Sequence, residues 1–424
     1  MTRTFVIWTT TLSAWLGAIV GTQSVAPPQP QGPLTLRDAV AQALEHSPAL
    51  RSFDWARRAA EARTVQAGRR ANPAVSATLE DIGASSATVQ PQATIQLGQL
   101  VELGGKRAAR QQVASANTAL AGWDYEAARL DVLTQVTSAF LGVLAAQDAV
   151  QQTATAMKLA EQVRSAVGDR VTAGVVSPIE STRADVLVAT ARIEHDQARH
   201  TLDASRRQLA ALWGGPDATF TQAVGALFAM PPVPSFASLE AALPKTPEEA
   251  RWTSEVEQRV ATLALARATK VPDVTLSAGY RRFTSEGRNA FIVGATIPIP
   301  WFDRNTDGIR AAEADVERAR AEAAAVSMDL RSRLAGAYRD VASAGDAVTV
   351  LRTAVIPAAQ SVFDAVQEGY QLGRFGLLDV LDAQRTLSDA HRRHLDAVTR
   401  FHIAVTHVER LTGRPLAAEE RSDR

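Results

Sequence analysis

The sequence has no cysteine among its 424 residues. That one absence excludes disulfides, thiolate nucleophiles, cysteine zinc sites, iron–sulfur clusters and lipid attachment to an N-terminal cysteine. Aromatic residues make up only 5% of the chain, a composition that favours closely packed helices over bulky cores. No charge excess is present either: 45 Lys and Arg balance 45 Asp and Glu, and a neutral chain has little non-specific attraction for nucleic acid. After the N-terminal stretch, no segment combines the length and purity of a membrane-crossing helix. What the chain has in abundance is alanine, 80 residues of it, the composition of long, closely packed helices.

Residues 1–26 read as a secretory signal. Arg3 gives the positive start, Phe5 to Val20 a mostly apolar stretch broken by Thr9, Thr10, Thr11 and Ser13, and Ser24-Val25-Ala26 a small-x-small cleavage context. An exported chain with no helical span crosses a membrane only through strands.

Prolines avoid three long stretches, Gln92 to Val176, Trp301 to Ile356 and Ala358 to Arg414. In the first, Leu130, Leu133, Val136, Phe140, Leu141 and Leu144 recur at helical spacing, and a helix from Gly105 to Val167 would run about 95 Å. So long a helix implies a coiled-coil or tubular assembly. A turn at Gly168 to Ser177 leads to a second helix from Pro178 to about Leu212. The design recurs as a helix from about Gly308, a turn at Gly373 to Gly376 and a helix from Leu377 to Leu411. A shift of 199 residues superposes Gly174 on Gly373, Ala184 on Ala383, His195 on His394, Leu212 on Leu411 and Gly214 on Gly413, the mark of an internal duplication. The boundaries expected are a first repeat over 34–214, an equatorial linker over 215–247, a second repeat over 248–415 and a tail over 416–424.

Four short segments alternate with period two: Ala74 to Leu79, Gln92 to Leu97, Val274 to Tyr280 and Asn289 to Ile299. Gly83, Ser85 and Ser86 separate the first pair, and Ser285, Glu286 and Gly287 the second. In the second pair, Val274, Leu276, Ala278 and Tyr280 should share one face and Phe291, Val293, Ala295 and Ile297 another. Four strands cannot close a barrel, which needs about eight, whereas three chains would supply twelve.

The order of these elements, with Tyr370-Gln-Leu-Gly373-Arg-Phe-Gly-Leu-Leu-Asp379-Val-Leu-Asp382-Ala-Gln-Arg385 and Pro298-Ile-Pro-Trp-Phe302-Asp-Arg-Asn305, resembles the outer-membrane efflux protein (TolC-like) family over residues 34–415. The second segment is most similar to the branch serving heavy-metal cation pumps of the RND type. The resemblance implies a mainly α fold with a small β part: a long α-helical barrel plus a transmembrane β-barrel formed by trimerisation. It implies a homotrimer in outer-membrane lipid, reaching into the periplasm as a passive exit duct for metal cations or small toxic compounds. The partners implied are a periplasmic adaptor and an inner-membrane RND-type pump, with no catalysis, cofactor, resident metal or nucleic acid. The alternative, a periplasmic adaptor with coiled-coil hairpins, predicts one hairpin, whereas this chain has two.

The resemblance also assigns residues. Asp379 and Asp382, three apart on one helix face, match positions that narrow the periplasmic entrance; they equally suit the positive end of a helix dipole. Glu180 and Tyr370 match a pair whose bond holds neighbouring helices shut. Gly174 and Gly373 mark the tips expected to dock the adaptor. The family's gate arginine is unmatched, since Phe375 stands in its place beside Arg374. His391 and His394 have a chelating spacing but no carboxylate or methionine cluster, and with His195, His200, His402 and His407 they read as a solvated helix face.

Overall fold

The computed structural model describes residues 30–82, 91–283 and 287–416. The export signal, the loop residues Gly83, Ser85, Ser86, Ser285 and Glu286 and the tail beyond Leu416 lie outside the described residues.

Helix α3 (Lys106–Thr172) runs 67 residues without a proline, about 100 Å of rod. Two shorter helices, α2 (Pro48–Ala67) and α4 (Pro178–Ala211), pack along its two halves, each opened by a proline whose missing N–H costs nothing in the first turn. Their ends meet where Gly214 lies against Pro48. The second half repeats the arrangement. Helices α6 (Pro247–Thr269) and α9 (Leu377–Thr412) stack along α7 (Thr306–Val350) and α8 (Ile356–Gln371), and Gly413 lies against Pro247. Both joints are the same residues displaced by 199 positions, so the duplication extends to the way helices are fused end to end. Contacts of α3 with α6 and α9 join the halves into one layer. Contrary to the expectation from sequence, helix α3 and the continuous 306–371 run are by length and composition apolar enough to cross a bilayer; α3 buries Val132, Val136, Phe140, Val143 and Leu144 among its neighbours.

Pro357 does not break the second rod. A π-helical turn over Leu351–Val355 widens the helix just before it, accommodating a residue that cannot donate to the preceding turn and whose ring would crowd it.

Strands β2 (Ala74–Glu80), β3 (Gln92–Val101), β5 (Val274–Phe283) and β6 (Asn289–Thr296) form one antiparallel sheet in the order β2-β3-β5-β6. The last strand stops short of the expected Ile299, because Pro298 and Pro300 have no N–H to give a ladder. The register places Tyr280 opposite Phe291, Ala278 opposite Val293 and Leu276 opposite Ala295. The two alternate sets expected on separate faces therefore lie on one, together with Ile95 and Leu97. Phe291 and Val293 on this face are 89% and 85% exposed. The reverse face is polar: Gln96 Nε2 donates to Ser277 Oγ (2.8 Å), Arg281 Nε donates to Thr94 Oγ1 (3.0 Å), and Arg281 pairs with Glu80 (3.7 Å). At its lower rim Lys106 pairs with Asp273 at 2.7 Å, and Asp273 Oδ1 also accepts from Leu103 N, tying the first strand–helix joint to the second repeat.

At mid-height a short parallel pair, β1 (Gly32–Thr35) with β4 (Phe220–Val224), helix α1 (Leu36–His46) and helix α5 (Phe236–Glu240) lie across the rods. Trp213, Phe140, Phe220, Leu34 and Leu209 form the core beneath them, and Leu330, Leu334 and Val408 meet Leu239 and Leu243 in a second.

Two histidines expected on a solvated face lie against this equatorial segment. The His394 ring stacks on Phe228 (centroids 5.5 Å apart, 13° between planes), and His402 Nε2 is 2.7 Å from the Leu227 carbonyl. Burial pushes both imidazoles below the ordinary histidine range; His391 and Arg352 push His394 the same way while Asp148 opposes, and for His402 the Leu227 carbonyl opposes. With the folded value depressed, the unfolded chain takes up the proton first. The contribution to stability is therefore complete above about pH 6.5 and declines as pH falls through that value towards the folded one. The thermal unfolding midpoint is expected to drop between about pH 7 and pH 5, and His394→Gln with His402→Gln should flatten that part of the profile. An unchanged profile in the double variant would place the acid sensitivity elsewhere.

Candidate functional site

The end of the molecule furthest from the sheet is made by two hairpin turns, α3 to α4 and α8 to α9. Val167, Ala184, Phe363, Tyr370, Leu377, Val380 and Ala383 pack between them into a single apolar cluster, so the two tips form one unit. Gly174 (φ 71°) and Gly373 (φ 73°) both take the left-handed conformation that closes such a turn. In each, backbone N–H groups cap the helix that has just ended: Val175 N donates to Arg170 O (2.9 Å) and Arg374 N to Gly369 O (2.7 Å). Around the glycines Val175, Ile179, Leu372, Phe375 and Leu378 are exposed.

Tyr370, 6% exposed, is held by a residue that sequence reasoning did not single out. Arg170, in the last turn of α3, donates from Nη1 to the Tyr370 carbonyl (2.8 Å) and lays its guanidinium 4.5 Å from the centre of the Tyr370 ring. Tyr370 Oη and Glu180 Oε2 are both buried, and neither has a hydrogen-bond partner among the described residues. The expected Tyr370–Glu180 bond is therefore not made within the chain. Burial pushes the Tyr370 phenol up, the Glu180 charge adds to this, and Arg170 opposes. The only sequence signal for Arg170 was its place as the last-turn cation of α3, opposite the last turn of α8. Phe375, standing where an arginine was expected, packs on Gly369, where its ring leaves no room for a β-carbon.

Asp379 and Asp382 are exposed and line an open groove of about 490 Å³ between α8 and α9, walled by Val355, Ala358 and Val362. Asp379 Oδ2 accepts from Gly376 N at 2.9 Å, so this carboxylate caps its helix while its charge faces the groove. Neither aspartate has a cationic partner among the described residues. Nor do three His, Asp or Glu side chains converge on a common point among the described residues. What the arrangement offers chemically is an unneutralised negative pair beside an apolar wall, adjacent to a buried tyrosine flanked by a half-buried arginine and glutamate.

Comparison with known proteins gives a consistent picture. The family model described as outer membrane efflux protein matches residues 39–215 and 242–414. The chain is 34% identical to the cobalt-zinc-cadmium resistance protein CzcC of Cupriavidus metallidurans, covering 92% of each sequence. Among solved structures, a membrane protein from Pseudomonas aeruginosa superposes with a TM-score of 0.78 at 21% identity, over 89% of this chain and 92% of that one. The outer-membrane channel OprN superposes with a TM-score of 0.76 at 20% identity, over 89% of both chains.

Proposed function

The chain belongs to the outer membrane efflux protein family, and from that membership we propose that three copies join into one continuous duct whose cargo is divalent metal cations. It is an outer-membrane component of an efflux system and extends into the periplasm. The observation that carries the trimer is the open sheet. Its outer face is apolar, yet the edges of β2 and β6 are unpaired, and unpaired backbone groups in lipid cost several kcal/mol each. Pairing β6 of one copy with β2 of the next removes both edges and gives twelve strands.

In this reading the polar face of Gln96, Ser277 and Arg281 lines the lumen, and the rods continue it downwards. The Asp379 and Asp382 carboxylates of three copies narrow the periplasmic entrance. Tyr370 and Glu180, with Arg170, hold the entrance closed, their orphan oxygens supporting a bond made between copies or after the tips move. The Gly174 and Gly373 tips receive a periplasmic adaptor coupled to an inner-membrane pump of the RND type, which supplies the energy. The chain itself carries out no catalytic step. A metal cargo is supported by the name of the 34% identical relative and by the unneutralised aspartates.

Because the chain has no cysteine, single introduced thiols test the barrel directly. Phe291→Cys and Val293→Cys in the assembled protein are expected to react with a membrane-confined maleimide, and Gln96→Cys and Ser277→Cys only with a water-soluble one. Equal reaction of both sets with the lipid-soluble reagent would reject a membrane-embedded barrel.

A further inference from the structure

The two repeats pass from strand to helix in different ways. In the first, residues 102–105 suffice to connect β3 to α3; in the second, residues 297–305 connect β6 to α7. The longer connection carries the most exposed aromatic pair of the described chain, Trp301 (76%) and Phe302 (99%), preceded by Ile297 (54%) and Ile299 (79%). It is a built loop. Pro298 and Pro300 restrict the backbone, Trp301 N donates to Ile299 O at 2.8 Å, Arg304 Nε to Pro300 O at 3.4 Å, and Asn305 Nδ2 to the Ala266 carbonyl at 2.8 Å. A loop fixed so as to hold two aromatic rings in the open marks a contact surface.

We propose that this loop is an anchor for the headgroup layer of the periplasmic leaflet, recognising anionic phospholipid. It begins where the apolar face of Phe291, Val293 and Ala295 ends, and rings at such a boundary sit half in hydrocarbon and half in water. The charge around the same level fits. Arg69 and Arg70 precede β2, Arg107 opens α3, Lys270 ends α6 and Arg304 precedes α7; all five are exposed and none has a carboxylate partner among the described residues. The acidic residues nearby are engaged: Asp273 with Lys106, Glu102 with Arg110, Asp307 with Arg310, and Asp303 with Asn305 N. Long cationic side chains at this depth reach phosphate groups while their stems stay against apolar surface. A neighbouring copy is a poorer occupant. Strand pairing between copies brings residues 68–73 alongside, a segment with Arg69, Arg70 and Asn72 and no large apolar side chain.

The inference rests on the membrane-embedded barrel, and its test separates the two. Trp301→Cys, Phe302→Cys and, as reference, Phe291→Cys are each labelled with a small fluorophore and the assembled protein is placed in vesicles of phosphatidylethanolamine and phosphatidylglycerol. Nitroxide lipids then report depth. Labels at 301 and 302 should be quenched about twofold or more better by a headgroup nitroxide than by one deep in the acyl chain, with the order reversed at 291. Quenching at 291 but at neither 301 nor 302 would overturn the anchor and leave the barrel standing; no quenching at 291 would overturn the barrel itself. For the charge, thermal midpoints are compared in vesicles where phosphatidylcholine replaces phosphatidylglycerol. The native protein should melt lower there, and Lys270→Gln with Arg304→Gln should shrink the difference; equal midpoints for the native protein would overturn anionic recognition.

Discussion

Replacing Gly373 with valine is expected to abolish export while leaving assembly and membrane insertion intact. Space is not the obstacle, since no atom lies within 4 Å of where a β-carbon would stand. The obstacle is the backbone. At φ 73° an L-residue pays about 1–2 kcal/mol, and a β-branched one is a genuine outlier there. Valine relieves that strain by rotating out of the left-handed region, which breaks the Gly373 N to Tyr370 O (3.0 Å) and Arg374 N to Gly369 O bonds that close the tip. Leu372, Phe375 and Leu378 would then present a different surface to an adaptor. Few contacts elsewhere depend on this turn, so the damage should stay local. The substitutions should rank accordingly: Gly373→Asn near normal, because asparagine tolerates the left-handed region, Gly373→Ala intermediate and Gly373→Val inactive. Export would be read as resistance of cells to the transported cation, with trimer abundance in outer membranes as control. Normal resistance in the valine variant would move docking away from the tips.

The parts of this molecule legible in its sequence are those set by local chemistry. Proline-free stretches and left-handed glycines bounded the rods to within a few residues, and the 199-residue shift recurs in the Gly214–Pro48 and Gly413–Pro247 joints. Alternation located all four strands of the sheet but not their register, which depends on how β3 meets β5 across more than 170 residues. What stayed hidden was long-range. Nothing local announces that Gly32 to Thr35 will pair in parallel with Phe220 to Val224, or that Phe228 will cover His394. At the candidate site, Asp379 and Asp382 were singled out by the family resemblance at a recognisable turn, their spacing adding only that they share a helix face. Arg170 was not, because its partner Tyr370 lies 200 positions away and the contact is to a backbone carbonyl and a ring face, neither of which leaves a pattern. The helix expected from about Gly308 to the turn at Gly373 runs through Pro357, and the π turn before it shows how a rod absorbs that proline.

Neutralising Asp379 and Asp382 together should produce the largest change in conduction. In the proposed trimer three copies bring six carboxylates around one axis, and at physiological salt charges within about 8 Å still interact strongly. A ring of that kind holds cations and repels anions. Asp379→Asn with Asp382→Asn is expected to cut cation selectivity and to weaken block by a multivalent cation by about tenfold, the equivalent of about 1.4 kcal/mol. Asparagine is the right replacement because Asp379 has a second task. Its Oδ2 accepts from Gly376 N, and an amide oxygen can do the same, so the helix start survives the loss of charge. Asp379→Ala removes both and should cost about 1 kcal/mol of local stability in addition. Comparing the two variants separates a capping role, which only alanine disturbs, from a pore role, which both disturb. Asp81→Asn, at the end of β2 where the carboxylate accepts from Gln92 Nε2, lies at the opposite end of the duct and should leave the block unchanged. Single-channel recordings in planar bilayers would read both quantities. Selectivity and block that persist in an intact Asp379→Asn, Asp382→Asn trimer would remove these residues from the pore, because no other consequence of neutralising them leaves a cation-binding constriction in place.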